Sequence, residues 1–394
     1  MLSIKEASFL EKQAVIYFDH AATSWPKPPE VGEAMMKVLN GQAASAGRGS
    51  HNMALQAGRV MYNARRSLAT LFHIANPNDI VFTSNTTAAL NLAIKGWLKP
   101  GDHVIATMVE HNSVRRPLEY LKRTIGIQVD YVAVNDSGQL DMEAVRNSIR
   151  SETTLVVCSH SSNLLGSIMP LDELGRLARE HGAVFLVDAA QTAGTYPIDV
   201  AEMGIDMLAF PGHKGLLGPQ GTGGLYISPQ VELEPQLHGG TGSQSEELEQ
   251  PTVRPDRYEA GTANTVGIAG LAAGVNVVLK YGVEQVYEHQ WKLVQTMMEE
   301  LSKMPGVSLI GPKLGEARTG LVSYNVAGRD AAEIAFRLDR EYGIAVRAGY
   351  HCTPLGHMTA GTTEGGAVRA SVGFGTTEKE VESFVLAMRK ILAQ

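Results

Sequence analysis

A lysine stands in a glycine-flanked turn, Ala209-Phe210-Pro211-Gly212-His213-Lys214-Gly215, directly after the apolar run 207–210. The run predicts a short buried strand, and Gly212 and Gly215 let the backbone turn tightly around the charge. Lys214 then lies at a strand's exit, where α/β folds gather ligands. A solvated loop lysine is the alternative. Asp188 closes another apolar run, Phe185-Leu186-Val187-Asp188. A carboxylate there either caps a turn or holds a cationic ligand group such as a protonated pyridine nitrogen. Ala189 and Ala190 beyond it are small enough for a flat ring to approach the backbone. Thr86-Thr87 opens a helix straight after a strand, so free amides and the helix dipole offer a phosphate seat, or an ordinary N-cap. His111 and Asn163 each follow a further strand. The histidine packs structurally, stacks on a planar cofactor or moves protons. The asparagine donates to a cofactor oxygen or holds its turn.

The elements that position these groups alternate. Strands are predicted at 80–83, 104–107, 128–134, 155–158, 184–187, 207–210 and 224–227, with helices at 86–97, 114–124, 141–149 and 171–181. This order implies an α/β fold, a mostly parallel seven-stranded sheet covered by helices on both faces. Residues 15–25 read as a short strand running into a polar turn, and 229–266 as a long functional loop region. A helical stretch spans 266–303. Short elements at 307–310, 320–325, 331–342 and 377–392 then predict a smaller α+β domain. The expected division is 26–275 for the large domain, and 1–25 with 276–394 for the small one.

A strand-end lysine, a carboxylate, a phosphate seat and a histidine in one crevice describe a pyridoxal phosphate site. Lysine binds the cofactor's carbonyl carbon, aspartate the ring nitrogen and the helix start the phosphate. No Gly-x-Gly-x-x-Gly follows the first strand and no Walker loop occurs. The loosely similar Gly239-Gly240-Thr241-Gly242 precedes no clear helix.

With 394 residues the chain is long enough for two domains, and 44% apolar with 19% charged residues is a globular composition. A net charge of -7 argues against nucleic acid or anionic membrane as partner. Lys5 and Glu6 fall where a signal peptide needs an apolar core, and the apolar stretch 268–279 is too short to span a bilayer. The two cysteines, Cys158 and Cys352, give no disulfide framework. A cytoplasmic enzyme is the expectation.

The chain also resembles the class V aminotransferase group, specifically the cysteine desulfurases among the fold-type I enzymes. The resemblance is carried by Tyr-Phe-Asp-His-Ala-Ala-Thr (17–23), Thr-Ser-Asn-Thr-Thr (83–87), Glu-His-Asn (110–112) and Ser-Asn-Leu-Leu-Gly (162–166). It continues through Val-Asp-Ala-Ala-Gln (187–191), Gly-His-Lys (212–214), Gly-Pro-Gln-Gly-Thr-Gly (218–223), Glu-Ala-Gly-Thr (259–262), Arg-Ala-Gly-Tyr-His-Cys (347–352) and Val-Arg-Ala-Ser (368–371). It implies that Lys214 carries pyridoxal phosphate, Asp188 pairs with the ring nitrogen, and His111 stacks on the ring and relays protons. It further implies that Thr86, Thr87 and His213 hold the phosphate, with Gln191 and Asn163 near the phenolic oxygen. Thr262 would reach the phosphate from the other subunit of a homodimer. The family's Ser or Thr before Gly-His-Lys is Pro211 here, which has neither hydroxyl nor N–H.

Arg347 and Arg369 suit a substrate carboxylate, because a guanidinium fork makes two parallel hydrogen bonds that an ammonium cannot. The resemblance favours Arg369 as the clamp and leaves Arg347 to organise the cysteine loop. Cys158 sits in an apolar strand and reads as core, whereas Cys352 lies among Gly, His, Thr and Pro. The Arg-x-Gly-x-His-Cys loop implies that Cys352 is a nucleophile taking sulfur as a persulfide, with His351 and Arg347 placed to favour its thiolate. The implied reaction converts L-cysteine to L-alanine and passes sulfur to an acceptor protein. L-Selenocysteine is the alternative substrate. Another class V lyase or aminotransferase, and a non-catalytic cofactor-binding or sulfur-carrier protein, are the alternative functions. No metal site is expected.

Overall fold

The computed structural model describes residues 15–41, 44–46, 49 and 51–394. The segment bearing Lys5 and Glu6, and the first part of the expected small domain, lie outside the described residues.

The large sheet has seven strands, in the order Ile80–Thr83, Gly223–Ile227, Met207–Pro211, Val184–Asp188, Thr153–Ser159, His103–Thr107 and Gln128–Val132. All neighbours pair in parallel except Gly223–Ile227, which is antiparallel to both of its own. The other six strands therefore end on one edge. Successive side chains point to opposite faces of a strand, so an apolar run supplies two cores at once. Val156, Phe185, Val187, Leu208 and Phe210 pack with Leu68, Phe72, Leu271 and Val275 on one side. Leu155, Val157, Leu186, Met207 and Ala209 pack with Leu90, Ile94, Val114 and Leu118 on the other.

The helical stretch expected at 266–303 is two helices, Thr265–Tyr281 and Val283–Ser302, bent by 81°. Gly282 makes the corner at φ 88, a conformation that glycine adopts without steric cost. The first helix buries Ile268, Leu271 and Val275 against the large sheet. The second buries Leu293, Val294 and Met297 with residues of a four-stranded antiparallel sheet. That sheet runs Arg347–Gly349, Ala367–Ser371, Leu321–Val326, Val307–Ile310. Helices Ala331–Tyr342 and Glu378–Leu392 cover it. Two further helices, Pro29–Gly41 and Asn52–Phe72, were not legible in sequence. Of the nine residues that the second buries, four are alanines and one is Arg65, so no dense apolar stripe reveals it.

Strand Ile16–Tyr17 pairs with Ile344–Ala345, and Asp19 bridges to Ser371. These residues thus form a two-stranded sheet, touch the four-stranded sheet at Ser371 and reach the end of Met207–Pro211 by Ser24, whose amide donates to the His213 carbonyl. Among the described residues no single helix is long and apolar enough to cross a membrane.

Candidate active site

The carboxyl edge of the large sheet borders a cavity of about 210 Å³. Thr86 and Thr87 line it from the helix after Ile80–Thr83, and His111 from the turn after His103–Thr107. Asn163 follows Thr153–Ser159, Asp188 and Gln191 come from the end of Val184–Asp188, and His213 and Lys214 follow Met207–Pro211. The structure therefore brings together eight residues that the sequence singled out. Thr262 is exposed and lines a different cavity of about 530 Å³.

The lysine turn is held differently from the expectation. Neither Gly212 nor Gly215 has a positive φ; the left-handed residue is Leu217, at φ 61. The glycines are needed for room. A Cβ on Gly212 would lie 2.1 Å from Thr222 Oγ1, and one on Gly215 would lie 2.4 Å from the Ala193 carbonyl oxygen. The His213 carbonyl accepts four hydrogen bonds, from Thr23 Oγ1 (3.0 Å), Ser24 N (3.0 Å), Ser24 Oγ (3.1 Å) and Lys27 Nζ (2.8 Å). These donors come from the segment carrying Tyr-Phe-Asp-His-Ala-Ala-Thr, to which sequence reasoning gave no role.

Burial presses the Lys214 pKa down to about 8, reinforced by Arg369 and opposed by the Asp188 carboxylate. Burial likewise lifts Asp188 to about 6, against a hydrogen bond from the Ala190 amide (2.9 Å) and the charge of Lys214. Asp188 caps a turn through the Ala190 amide and also lines the cavity. His111 is the N-cap of helix Asn112–Ile125, its Nδ1 accepting from Ser113 N at 3.0 Å. Burial, with Lys214 nearby, takes its pKa to about 4, so the ring is neutral near pH 7.

The donors facing the cavity suit a phosphate. Asn85 caps helix Thr86–Trp97 through Ala88 N (2.9 Å), so the first amides of the helix have no intrahelical partner. Thr87 Oγ1 is 2.7 Å from Ser113 Oγ. His213 Nδ1 is buried without a hydrogen-bond partner. Pro211 closes its strand opposite Gly223 and contributes no donor.

Arg369 is 1% exposed, with Nη1 donating to the Asn163 carbonyl (3.0 Å), Nη2 to Asp19 Oδ1 (2.9 Å) and Nε unpartnered. Arg347 lies opposite it in the small sheet. Neither arginine lines the cavity itself. Asn163 Nδ2 donates to the His351 carbonyl (2.6 Å), and Asn112 N donates to the Cys352 carbonyl (2.8 Å). The cysteine loop is thereby fastened to both the Asn163 turn and the helix that His111 caps. Cys352 is exposed and shares a surface cleft with Thr87 and His111. His351 does not flank it with charge. Burial holds its pKa at about 3, and its Nε2 lies 3.0 Å from the Ala367 carbonyl.

Glu110 escaped sequence reasoning although it stands in the Glu-His-Asn motif. It is 0% exposed, accepting from Thr107 Oγ1 (2.6 Å), Ser159 N (2.9 Å) and Ser159 Oγ (2.7 Å). Burial raises its pKa to about 7 despite those bonds. Only its adjacency to a strand end could have marked it out. Among the described residues no cluster of His, Cys, Asp and Glu could hold a metal ion.

This arrangement can bind a phosphate-bearing cationic ring, form a bond from Lys214 and present a thiol in a cleft that shares Thr87 and His111 with the cavity. The family described as "Aminotransferase class-V" matches residues 16–384. A probable cysteine desulfurase of Methanothermobacter thermautotrophicus is 36% identical, over 93% of this chain and 92% of that protein. A cysteine desulfurase of Haloferax volcanii is 34% identical, over 95% of this chain and 88% of that one. The solved apo structure of the cysteine desulfurase from Thermococcus onnurineus NA1 superposes with a TM-score of 0.91 at 36% identity. That match covers 96% of this chain and 95% of the other. The chain belongs to the class-V aminotransferase family and, within it, to the cysteine desulfurases. Its architecture is that of the fold-type I transferases.

Proposed function

We propose that this protein is a pyridoxal phosphate-dependent cysteine desulfurase, converting L-cysteine to L-alanine and taking the sulfur on Cys352. The observation that carries the reading is the exposed Cys352, tied through Asn112 to the helix whose N-cap, His111, lines the same cavity as Lys214.

The free helix amides at Thr86 and Thr87, the Thr87 hydroxyl and the orphaned His213 Nδ1 would hold the cofactor's phosphate. Asp188 would keep the ring nitrogen protonated, and neutral His111 would lie against the ring. Gln191 and Asn163 would serve the phenolic oxygen, Asn163 through the N–H not given to His351. When bound, pyridoxal phosphate supplies an electron sink that loosens the Cα–H and Cβ–S bonds of an amino acid. Lys214, with its pKa near 8, takes the Cα proton on Nζ as a neutral amine. Arg369, with Nε free, and Arg347 orient the carboxylate. The Cys352 thiolate bonds to the substrate sulfur as that sulfur's bond to carbon breaks, so cysteine plus thiol becomes alanine plus persulfide.

We further infer a homodimer that brings Thr262 to the phosphate across its interface, a cytoplasmic location and a sulfur-acceptor protein. We also infer the two-domain division at 26–275 against 1–25 with 276–394. The change of core partners across Gly282, inside the bent helical stretch, supports this last point.

The test is incubation of the holoenzyme with L-cysteine and dithiothreitol, with L-selenocysteine run in parallel. Alanine and sulfide should form in equal amounts, and Cys352→Ser should lose about 100-fold or more of cysteine turnover. Full turnover by Cys352→Ser would point instead to another class V lyase or aminotransferase. Cofactor retained without any turnover would point to a carrier.

A further inference from the structure

Beside the cofactor cavity the surface carries a cationic groove centred on the exposed cysteine. Cys352 lines two adjoining clefts of about 520 Å³ each. Arg115, Arg116 and Arg123 border one, Lys95 and Arg116 the other, and Tyr120 lies between them. Among the described residues none of these four cations makes a salt bridge. Lys95 and Arg123 rest instead over the Tyr120 ring, at 5.0 and 5.8 Å from its centroid. The lone acid lining the groove, Glu119, accepts a hydrogen bond from Tyr131 (3.0 Å). A chain of net charge -7 thus gathers unpaired positive charge around its exposed thiol.

The cysteine cannot leave this setting readily. His351 and Cys352 both hold left-handed backbone, at φ 47 and φ 60, and both of their carbonyls are bonded to neighbouring elements. An acceptor therefore has to come to the groove. Arg115 and Arg123 are about 12 Å apart along their helix, and Lys95 stands on another. That span exceeds a small thiol and matches a protein patch, with exposed Tyr120 at its centre.

We propose that the sulfur held on Cys352 is collected by a thiol set in an acidic protein surface, and that Lys95, Arg115, Arg116 and Arg123 form the docking face. This rests on the desulfurase reading above. The acceptor thiolate attacks the outer sulfur of the persulfide, a new S–S bond forms and the bond to Cys352 Sγ breaks. Cys352 leaves as thiolate, the transferred sulfur keeps its oxidation state, and no outside oxidant or reductant is consumed.

The experiment loads the holoenzyme with L-cysteine and follows sulfur transfer to two synthetic peptides, each with a single cysteine. Glutamates flank the cysteine in one and lysines in the other, and mercaptosuccinate serves as a small dianionic thiol. At low salt the acidic peptide should react about tenfold faster than the basic one, an advantage that added salt erodes. Arg115→Glu with Arg123→Glu should reverse the preference, and Arg115→Gln with Arg123→Gln should abolish it. Alanine formation with dithiothreitol should stay at the wild-type rate in both variants. Equal rates for the two peptides, or a preference that survives charge reversal, would overturn the proposal. Mercaptosuccinate matching the acidic peptide, and slowed equally by the variants, would also overturn it by making the groove a small-thiol subsite. Absence of alanine from the wild-type enzyme with dithiothreitol would instead remove the desulfurase reading on which the proposal rests.

Discussion

Lys27 Nζ lies 2.8 Å from the carbonyl oxygen of His213, the residue before Lys214. The same ammonium donates to Ser24 Oγ at 2.7 Å, and that hydroxyl also faces the His213 carbonyl. The turn presenting Lys214 is therefore anchored by a segment nearly two hundred residues upstream. Burial lowers the Lys27 pKa to about 8, so the anchor weakens as pH rises past that value.

Lys27→Met should remove the charge-assisted bond and leave the hydroxyl and amide donors in place. The expected loss is about 1–2 kcal/mol of stability. Cofactor retention should fall with it, read from the visible absorbance after dialysis. Unchanged stability and unchanged retention would show that the anchor is idle.

Gly212→Ala tests the packing account of the lysine turn. Because the new methyl would sit 2.1 Å from Thr222 Oγ1, the turn or the strand beside it has to shift. The cost should be about 1–3 kcal/mol, read from urea unfolding. A backbone-flexibility account predicts far less, since Gly212 has no positive φ.

Glu110 gives a pH signature. Its folded pKa of about 7 lies above the ordinary carboxylate value, so between those two values the folded state holds a proton that the unfolded state has released. Stability from this group is complete below about 4.5 and falls as pH rises toward 7. Glu110→Gln keeps an acceptor for Ser159 and cannot titrate. The wild-type minus variant difference in unfolding free energy should therefore decline across that window, and a flat difference would contradict the assignment.

Arg369→Lys separates a fork from a point charge. Lysine cannot keep the bonds to Asp19 and Asn163 while also presenting two N–H groups to a carboxylate. KM for cysteine should rise about tenfold or more, with the cofactor absorbance retained. Equal KM values would move the carboxylate site to Arg347.

The parts legible in sequence were those with a strong local pattern. Apolar runs gave the strands, and Thr86, His111, Asn163, Asp188 and Lys214 each follow one, so a parallel sheet necessarily collects them. The element expected at 331–342 is a helix with those bounds, capped by Asp330 and ended by Gly343. Helix Asn52–Phe72 escaped notice because alanines carry much of its buried face. The corner at Gly282 was hidden inside a continuous helical pattern, where one glycine gives little warning. Asp19, Lys27 and Glu110 could not be placed because their roles depend on partners distant in sequence or buried within the sheet. The expectation that His351 favours the Cys352 thiolate finds no charge to act through, because burial holds the ring at a pKa of about 3 and leaves it neutral near pH 7.

The central claim is that Cys352 takes the sulfur of L-cysteine. Mass spectrometry of the Cys352 peptide, after a single turnover with one equivalent of L-cysteine and no reductant, tests it most directly. The account predicts one additional sulfur on Cys352 and one alanine released per active site, with no alanine from Cys352→Ser. Alanine formed in full while Cys352 gains no sulfur would contradict it.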